Sequence, residues 1–206
     1  MTISIVPLRD GFAGEVSGID CTQPLSPEAV RTIKEGMDRY AVLVFHDQRL
    51  TDEQQLAFSL NFGTIEFNAT RSRIHYRTDE EARTLGKDIG DFSNMGPDGK
   101  PLSQTSRAHL FKLADRMWHS DSSFKAVPAS WSILSGRAIP SWGGNTEFAD
   151  MRAAYEALDD RTRASVEDLV THHSNIYSRA KIGFTDMSDA EREAHKPVRQ
   201  RLVRRH

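Results

Sequence analysis

The chain has 206 residues, of which 38% are hydrophobic and 27% charged, a composition that fits one globular domain and excludes a disordered or collagen-like chain. Its 27 basic and 29 acidic residues leave a formal net charge of -2, so no overall field favours nucleic acid or anionic lipid as a partner. The single cysteine, Cys21, precludes an internal disulfide, and no apolar run approaches the roughly 18 residues of a transmembrane helix, which together predict a cytoplasmic protein without membrane partners.

The N-terminal segment predicts short strands followed by a helix. Residues 3–20 mix β-branched residues with three glycines, a pattern typical of short strands joined by tight turns. Ser26 then supplies an N-cap and Pro27 the first helical residue, ahead of apolar residues that recur at helical spacing. This segment therefore predicts an amphipathic helix after the strands.

Two further elements follow this helix directly. The apolar run at 41–45 is typical of a central strand that is buried on both faces. Thr51 and Gln54 have the spacing of a capping box, in which each side chain bonds to the other residue's backbone N–H. The helix that they begin is predicted to run to about Phe62, with Gly63 as its stop signal.

The rest of the chain is less regular. Residues 64–108 are polar and contain glycines, and such a long loop is either a binding lid or a disordered segment. Further on, hydrophobic periodicity and turn residues predict additional elements. The predicted elements are strands at 89–94, 130–139 and 146–149, and helices at 151–158 and 161–172.

The most informative chemical pattern is a histidine followed two positions later by an aspartate. In an extended chain, residues two apart point to the same side, so His119 and Asp121 can converge on one point. One imidazole, one carboxylate and a further histidine form the facial triad of non-heme Fe(II), which leaves coordination positions open for a co-substrate and O2. With 8 histidines and 29 acidic residues, the triplet can also arise by chance as a surface ion pair.

The surroundings of this triplet resemble a known family. Segments 118–124 and 143–155 are similar to the taurine/2,4-dichlorophenoxyacetate (TauD/TfdA) dioxygenase family of Fe(II)- and 2-oxoglutarate-dependent oxygenases, and most similar to its 2,4-dichlorophenoxyacetate branch. Segments 42–45, 54–58 and 61–63 match in the same order, so the resemblance covers essentially the whole chain. It implies an α/β, mainly β, fold: a double-stranded β-helix (jelly roll) with flanking helices, in a single domain over 1–206 that lacks its C-terminal portion.

The resemblance also implies a reaction. His119 and Asp121 match two ligands of Fe(II), and Thr146 matches a threonine that helps to hold the distal carboxylate of 2-oxoglutarate. With O2, such an enzyme hydroxylates an aryloxyalkanoate such as 2,4-dichlorophenoxyacetate to a phenol and glyoxylate, with succinate and CO2, a step in aromatic herbicide degradation. Two alternatives remain open, which are an alkylsulfonate substrate such as taurine and a truncated relative without catalysis. A strand position is the structural alternative for Thr146.

Substrate contacts are expected in the polar segment and in a later helical segment. We expect a small-molecule carboxylate substrate, with Asn94 as a pocket-lining donor and basic side chains facing the carboxylate. Solvated surface charge is the simpler explanation for each basic residue. The candidate substrate-binding residues are Asn94, Lys100, Arg107, His173 and Arg179.

Two of the family's functional positions have no match. The resemblance places the third iron ligand, a histidine, and an arginine for 2-oxoglutarate beyond the last residue, His206. His195 and His206 are the alternatives for the third ligand, although one lies in a charged helical stretch and the other is terminal. Because an incomplete jelly roll exposes strand edges, we also expect a homo-oligomer.

Overall fold

A computed structural model describes residues 2–66, 89–96 and 98–205. The chain forms two compact units, the first from Met1–Ile65 and Ile133–Leu158 and the second from Glu66–Ser132 and Asp159–His206. No helix within the described ranges is both long enough and apolar enough to cross a bilayer. In chain order the described elements are β1 (Ser4–Arg9), β2 (Phe12–Ser17), α1 (Pro27–Tyr40), β3 (Leu43–Phe45), α2 (Asp52–Leu60), α3 (Arg107–Lys112), a 3₁₀ helix (Leu113–Arg116), α4 (Met151–Glu156), α5 (Asp160–Val166), β4 (Val170–His173), α6 (Asn175–Lys181), α7 (Asp189–Ala194) and β5 (Val198–Arg201).

The first unit contains a three-stranded sheet. The predicted short strands with a tight turn between them are present as β1 and β2, which pair antiparallel, and Gly11 adopts the positive φ that the turn requires. Strand β3 pairs in parallel with β2, so the described order is β1-β2-β3. The prediction of a central, buried strand at 41–45 is therefore wrong for the described sheet, because β3 lies at its edge and is only half-buried.

Helix α1 connects the parallel pair and begins as the sequence predicts. The Ser26 hydroxyl accepts a hydrogen bond from the Ala29 N–H at 3.1 Å, and the helix ends where Ala41 turns into the left-handed region. Ile33 is 2% exposed and anchors the helix in the unit. At Gly36 a Cβ atom would lie 2.5 Å from Ile5 Cδ1, so a larger residue there would require the end of the Ile5 side chain to shift.

Helix α2 has the predicted capping box. Thr51 accepts from the backbone of Gln54, and the Gln54 side chain accepts from the Thr51 N–H. The helix ends at Leu60, slightly before the predicted end at Phe62, and Phe58 packs edge-on against Phe45 with ring centroids 5.8 Å apart. The predicted strands at 130–139 and 146–149 are irregular chain in this structure, and the predicted helix from Met151 is present as α4.

The second unit contains short helices, a small apolar core and a two-stranded sheet. Phe111, Phe184 and Met187 form this core. Strands β4 and β5 pair antiparallel, so the predicted helix over 161–172 is wrong in its last part, where β4 replaces it. The predicted strand at 89–94 is also wrong, because that segment is irregular and leads into an isolated bridge between Met95 and Pro101. Much of the predicted loop at 64–108 lies outside the described residues.

Candidate functional site

His119 and Asp121 bring their metal-binding atoms together. His119 Nε2 and Asp121 Oδ1 lie 3.2 Å apart, and both side chains are about half exposed. The segment is not a strand: irregular chain leads into a turn at Asp121, and Ser122 takes a left-handed φ of 54°. The two side chains therefore converge as the His-x-Asp spacing predicts, but they do so at a turn and not in a strand.

Each of these side chains is held through the atom that does not face its partner. His119 Nδ1 lies 2.7 Å from the Met117 carbonyl oxygen. Because a carbonyl oxygen only accepts, Nδ1 donates this hydrogen bond, and Nε2 is the nitrogen that would bind a metal. On the other side, the Ser132 hydroxyl donates to Asp121 Oδ2 at 2.7 Å, which leaves Oδ1 facing Nε2.

The spacing of the pair fits two adjacent positions around a metal ion. Metal bonds to histidine nitrogen and carboxylate oxygen are roughly 2.0–2.2 Å long, so two such donors at a right angle are about 3.0 Å apart. The observed 3.2 Å separation is close to this value. The described residues hold no group of three or more His, Cys, Asp or Glu side chains placed to bind a metal, so the pair would supply part of the ligand set.

The simpler interpretation of the same geometry is an exposed ion pair. Exposed pairs contribute about 0–1 kcal/mol to stability, so stability gives little reason for the arrangement. The ion pair also does not require the Nδ1 contact to Met117 or the hydroxyl of Ser132. These two contacts orient both donors and favour the metal-site interpretation.

Thr146 lies in the first unit, on exposed irregular chain. His119 and Asp121 belong to the second unit. The strand that was expected to carry Thr146 does not form in the described structure. The contact of Thr146 with 2-oxoglutarate stays a prediction.

Asn94 and Lys100 lie in a tight exposed loop of the second unit. The carbonyl of Asn94 accepts from the Leu102 N–H at 2.7 Å, and the carbonyl of Lys100 accepts from the Gly96 N–H at 2.8 Å. Both side chains are exposed. Backbone hydrogen bonds therefore hold the loop while the two side chains remain accessible, and their contact with a substrate stays a prediction.

Arg107 forms ion pairs within the chain. Its Nη2 atom lies 2.7 Å from a carboxylate oxygen of Glu191 and donates to the Asp186 carbonyl at 2.8 Å, while Nε is 3.4 Å from the Asp186 carboxylate. The guanidinium also lies 5.3 Å from the centroid of the Phe184 ring. The structure thus gives Arg107 a role in joining α3 to the segment around α7, which the sequence did not predict.

Arg179 is more deeply enclosed. It is 9% exposed, its Nη2 donates to Asp115 at 2.6 Å, and its guanidinium lies 4.4 Å from the centroid of the Phe111 ring. Burial lowers the pKa of Arg179, and the charge of Asp115 opposes that effect. Arg179 therefore has a counter-ion within the second unit, and its contact with a substrate stays a prediction.

The histidines near the second sheet differ in their surroundings. His173 Nε2 lies 2.8 Å from the Thr171 hydroxyl, and its substrate contact stays a prediction. Because neighbouring strand residues face opposite sides, His172 points away from it and lines an open cavity of about 640 Å³ together with Tyr177 and Arg192. The sequence analysis did not predict this cavity.

The two alternatives for a third ligand receive little support. Burial lowers the pKa of His195, which follows the last residue of α7 and belongs to no group of potential metal ligands within the described ranges. His206 lies outside the described residues.

Comparison with known proteins places these features in context. The chain is 39% identical over 211 residues to alpha-ketoglutarate-dependent 2,4-dichlorophenoxyacetate dioxygenase of Cupriavidus pinatubonensis, covering 100% of this chain and 70% of the relative. It is also 35% identical over 190 residues to (S)-phenoxypropionate/alpha-ketoglutarate-dioxygenase of Sphingobium herbicidovorans, covering 91% of this chain and 59% of that protein. The chain thus spans roughly two-thirds of the length of these relatives.

A solved structure and a family model agree with these matches. The crystal structure of AAD-2 in complex with Mn(II) and N-oxalylglycine matches 100% of this chain and 70% of its own, with a TM-score of 0.92 and 54% identity. The model of the family described as "Taurine catabolism dioxygenase TauD, TfdA family" matches residues 4–206. The chain therefore belongs to the TauD/TfdA dioxygenase family.

Proposed function

We propose that this protein is an Fe(II)- and 2-oxoglutarate-dependent dioxygenase that hydroxylates an aryloxyalkanoate such as 2,4-dichlorophenoxyacetate. The products are a phenol, glyoxylate, succinate and CO2. The observation that carries the proposal is the 3.2 Å separation of His119 Nε2 and Asp121 Oδ1. Each side chain is also fixed by a hydrogen bond on its other polar atom. The 2-His-1-carboxylate arrangement that such a pair begins is typical of non-heme Fe(II) oxygenases.

The similarities favour this substrate class over sulfonates. Two relatives named for 2,4-dichlorophenoxyacetate are 39% and 37% identical to the chain over its whole length. Relatives named for sulfate esters or sulfonates are 25% to 30% identical over 62% to 96% of it. Binding of an aryloxy acid requires an apolar pocket with a cation or a hydrogen-bond donor at the carboxylate, whereas binding of a small sulfonate requires mainly polar partners.

The residues of the chain have separate tasks in this proposal. His119 would supply a neutral nitrogen and Asp121 an anionic oxygen to Fe(II), and the charge left on the metal favours a dianionic keto acid. Thr146 would donate its hydroxyl to the distal carboxylate of 2-oxoglutarate. Bound Fe(II) supplies the O2 activation that couples decarboxylation of 2-oxoglutarate to substrate hydroxylation.

The polar residues Asn94, Lys100 and His173 are proposed to orient the substrate. Hydroxylation at the carbon next to the ether oxygen gives a hemiacetal, which breaks down to the phenol and glyoxylate. The protein's part is to hold that carbon toward the metal and to exclude water.

A jelly roll with flanking helices is the fold proposed for the whole protein, in line with its similarity to AAD-2. A homo-oligomer is proposed as its assembly, and light scattering after size exclusion tests this.

Succinate release from 2-oxoglutarate, measured with added Fe(II), tests the proposed reaction. We expect release to be stimulated by 2,4-dichlorophenoxyacetate, but not by taurine, and to be abolished by His119→Ala. His46→Ala is a matched control, because His46 is another exposed histidine beside a carboxylate, with Nε2 3.7 Å from Glu15 Oε1. Stimulation by taurine alone would favour the sulfonate alternative. Metal binding without any succinate release would favour the non-catalytic alternative.

A further inference from the structure

Ser132 makes a contact that the proposed reaction does not require by itself. Its hydroxyl donates to Asp121 Oδ2 at 2.7 Å across 11 positions of sequence, while the other carboxylate oxygen faces His119 Nε2 at 3.2 Å. We propose that Ser132 is a positioning residue, which holds Asp121 so that only Oδ1 is presented to the metal. This inference rests on the proposed function.

The reason lies in the two equivalent oxygens of a carboxylate. Unrestrained, an aspartate can bind a metal through one oxygen or through both. Binding through both would occupy a position that the facial arrangement leaves open for the co-substrate or O2. A hydroxyl bonded to Oδ2 engages the second oxygen and limits rotation about the side-chain torsion, so Oδ1 remains the single donor.

The neighbouring ligand is restrained in the same way, which supports this interpretation. The Met117 carbonyl accepts from His119 Nδ1 at 2.7 Å and so points Nε2 toward Asp121. Both candidate ligands are thus fixed by a hydrogen bond on the atom remote from the shared point. Only one of the two supports is a side chain, so only Ser132 can be removed by substitution.

The expected size of the effect follows from exposure. Hydrogen-bond supports behind metal ligands typically change metal affinity by about 10- to 100-fold. Ser132 and Asp121 are both exposed, and water can replace part of a lost hydrogen bond there. We therefore expect the lower end of this range, about tenfold weaker binding for Ser132→Ala.

The experiment measures the Kd for Mn(II) on the 206-residue chain by the electron paramagnetic resonance signal of the free ion. Ser132→Ala is compared with Ser132→Thr, which keeps the hydroxyl, and with Ser130→Ala, which removes a nearby exposed hydroxyl that has no bond to Asp121. We expect about tenfold weaker binding only for Ser132→Ala. The Tm without metal should be unchanged, while the rise in Tm on adding Mn(II) should be smaller for that variant.

Other outcomes separate this proposal from the proposed function. If Ser132→Ala binds Mn(II) like the parent while His119→Ala does not, the role of Ser132 is refuted and the metal site stands. Equal losses in Ser132→Ala and Ser132→Thr, or in Ser130→Ala, would also refute it, since the hydroxyl at 132 would not be the cause. Mn(II) binding by the parent chain that His119→Ala leaves unchanged would overturn the metal site and this role together.

Discussion

Removing the negative charge beside Arg179 is expected to destabilise the second unit. Arg179 is 9% exposed, and its Nη2 atom donates to Asp115 Oδ1 at 2.6 Å. The variant Asp115→Asn keeps the shape of the side chain but removes its charge. The guanidinium would then remain enclosed against the Phe111 ring without a counter-ion, which is the costly way to break a buried ion pair.

The expected loss in the free energy of unfolding for Asp115→Asn lies between two limits. Breaking a buried pair costs about 3–5 kcal/mol, whereas an exposed pair contributes about 0–1 kcal/mol. The Asp115 side chain is 26% exposed, and Arg179 keeps acceptors at Asn175 Oδ1 and Ser178 Oγ, 3.3 and 2.9 Å away. We therefore expect the free energy of unfolding to fall by about 2–3 kcal/mol, between the two ranges and closer to that of a buried pair.

Urea unfolding followed by tryptophan fluorescence measures this change. With a slope of about 1–3 kcal/mol per molar urea for small proteins, the midpoint should fall by about 1 M. Glu193→Gln is the control, because its pair with Lys196 is 68% to 70% exposed and should contribute less than about 1 kcal/mol.

The double variant Asp115→Asn/Arg179→Met provides the decisive comparison. Methionine removes the unpaired charge and retains apolar contact with Phe111, so the double variant should be more stable than Asp115→Asn alone. A loss under about 0.5 kcal/mol for Asp115→Asn, or a double variant less stable than the single one, would refute the structural role of Arg179 and favour an accessible, substrate-facing side chain.

Three further predictions concern stability and pH. Phe111→Ala should lower the free energy of unfolding by about 3–5 kcal/mol, because Phe111 is 2% exposed and packs edge-on against Phe184; Leu110→Ala, at 38% exposure, should cost much less, and equal losses in urea melts would contradict this. Thr51→Ala should cost about 1 kcal/mol by removing the capping box, and restoration by Thr51→Ser but not Thr51→Val would identify the hydroxyl as the cause. Burial raises the pKa of the Cys21 thiol to about 11, above the value of about 8.5 in an unfolded chain. The buried neutral thiol should therefore contribute fully to the free energy of unfolding below about pH 8.5, and this contribution should be lost as the pH rises from there toward about 11. A pH series of urea melts should show this loss in the parent and not in Cys21→Ala.

Local sequence signals predicted the elements whose determinants lie within a few residues. The caps at Ser26 and Thr51 were predicted because an N-cap side chain bonds to a backbone group three residues later. Strand β4 was mistaken for helix because its stabilising partner is distant: Val170 pairs with Arg201. Pairing across such a separation overrides the local helical periodicity, and a single segment carries no signal of it.

The sequence by itself determined the family and the candidate metal pair, because a short-range motif and several ordered matches suffice for both. His119 and Asp121 are two positions apart, so the chain could bring them together locally. Only the tertiary structure decided that Arg107 and Arg179 bind the chain's own carboxylates and that Ser132 reaches Asp121. Those contacts join residues 11 to 84 positions apart, and the folding of the whole unit, rather than any local pattern, selects which polar groups meet.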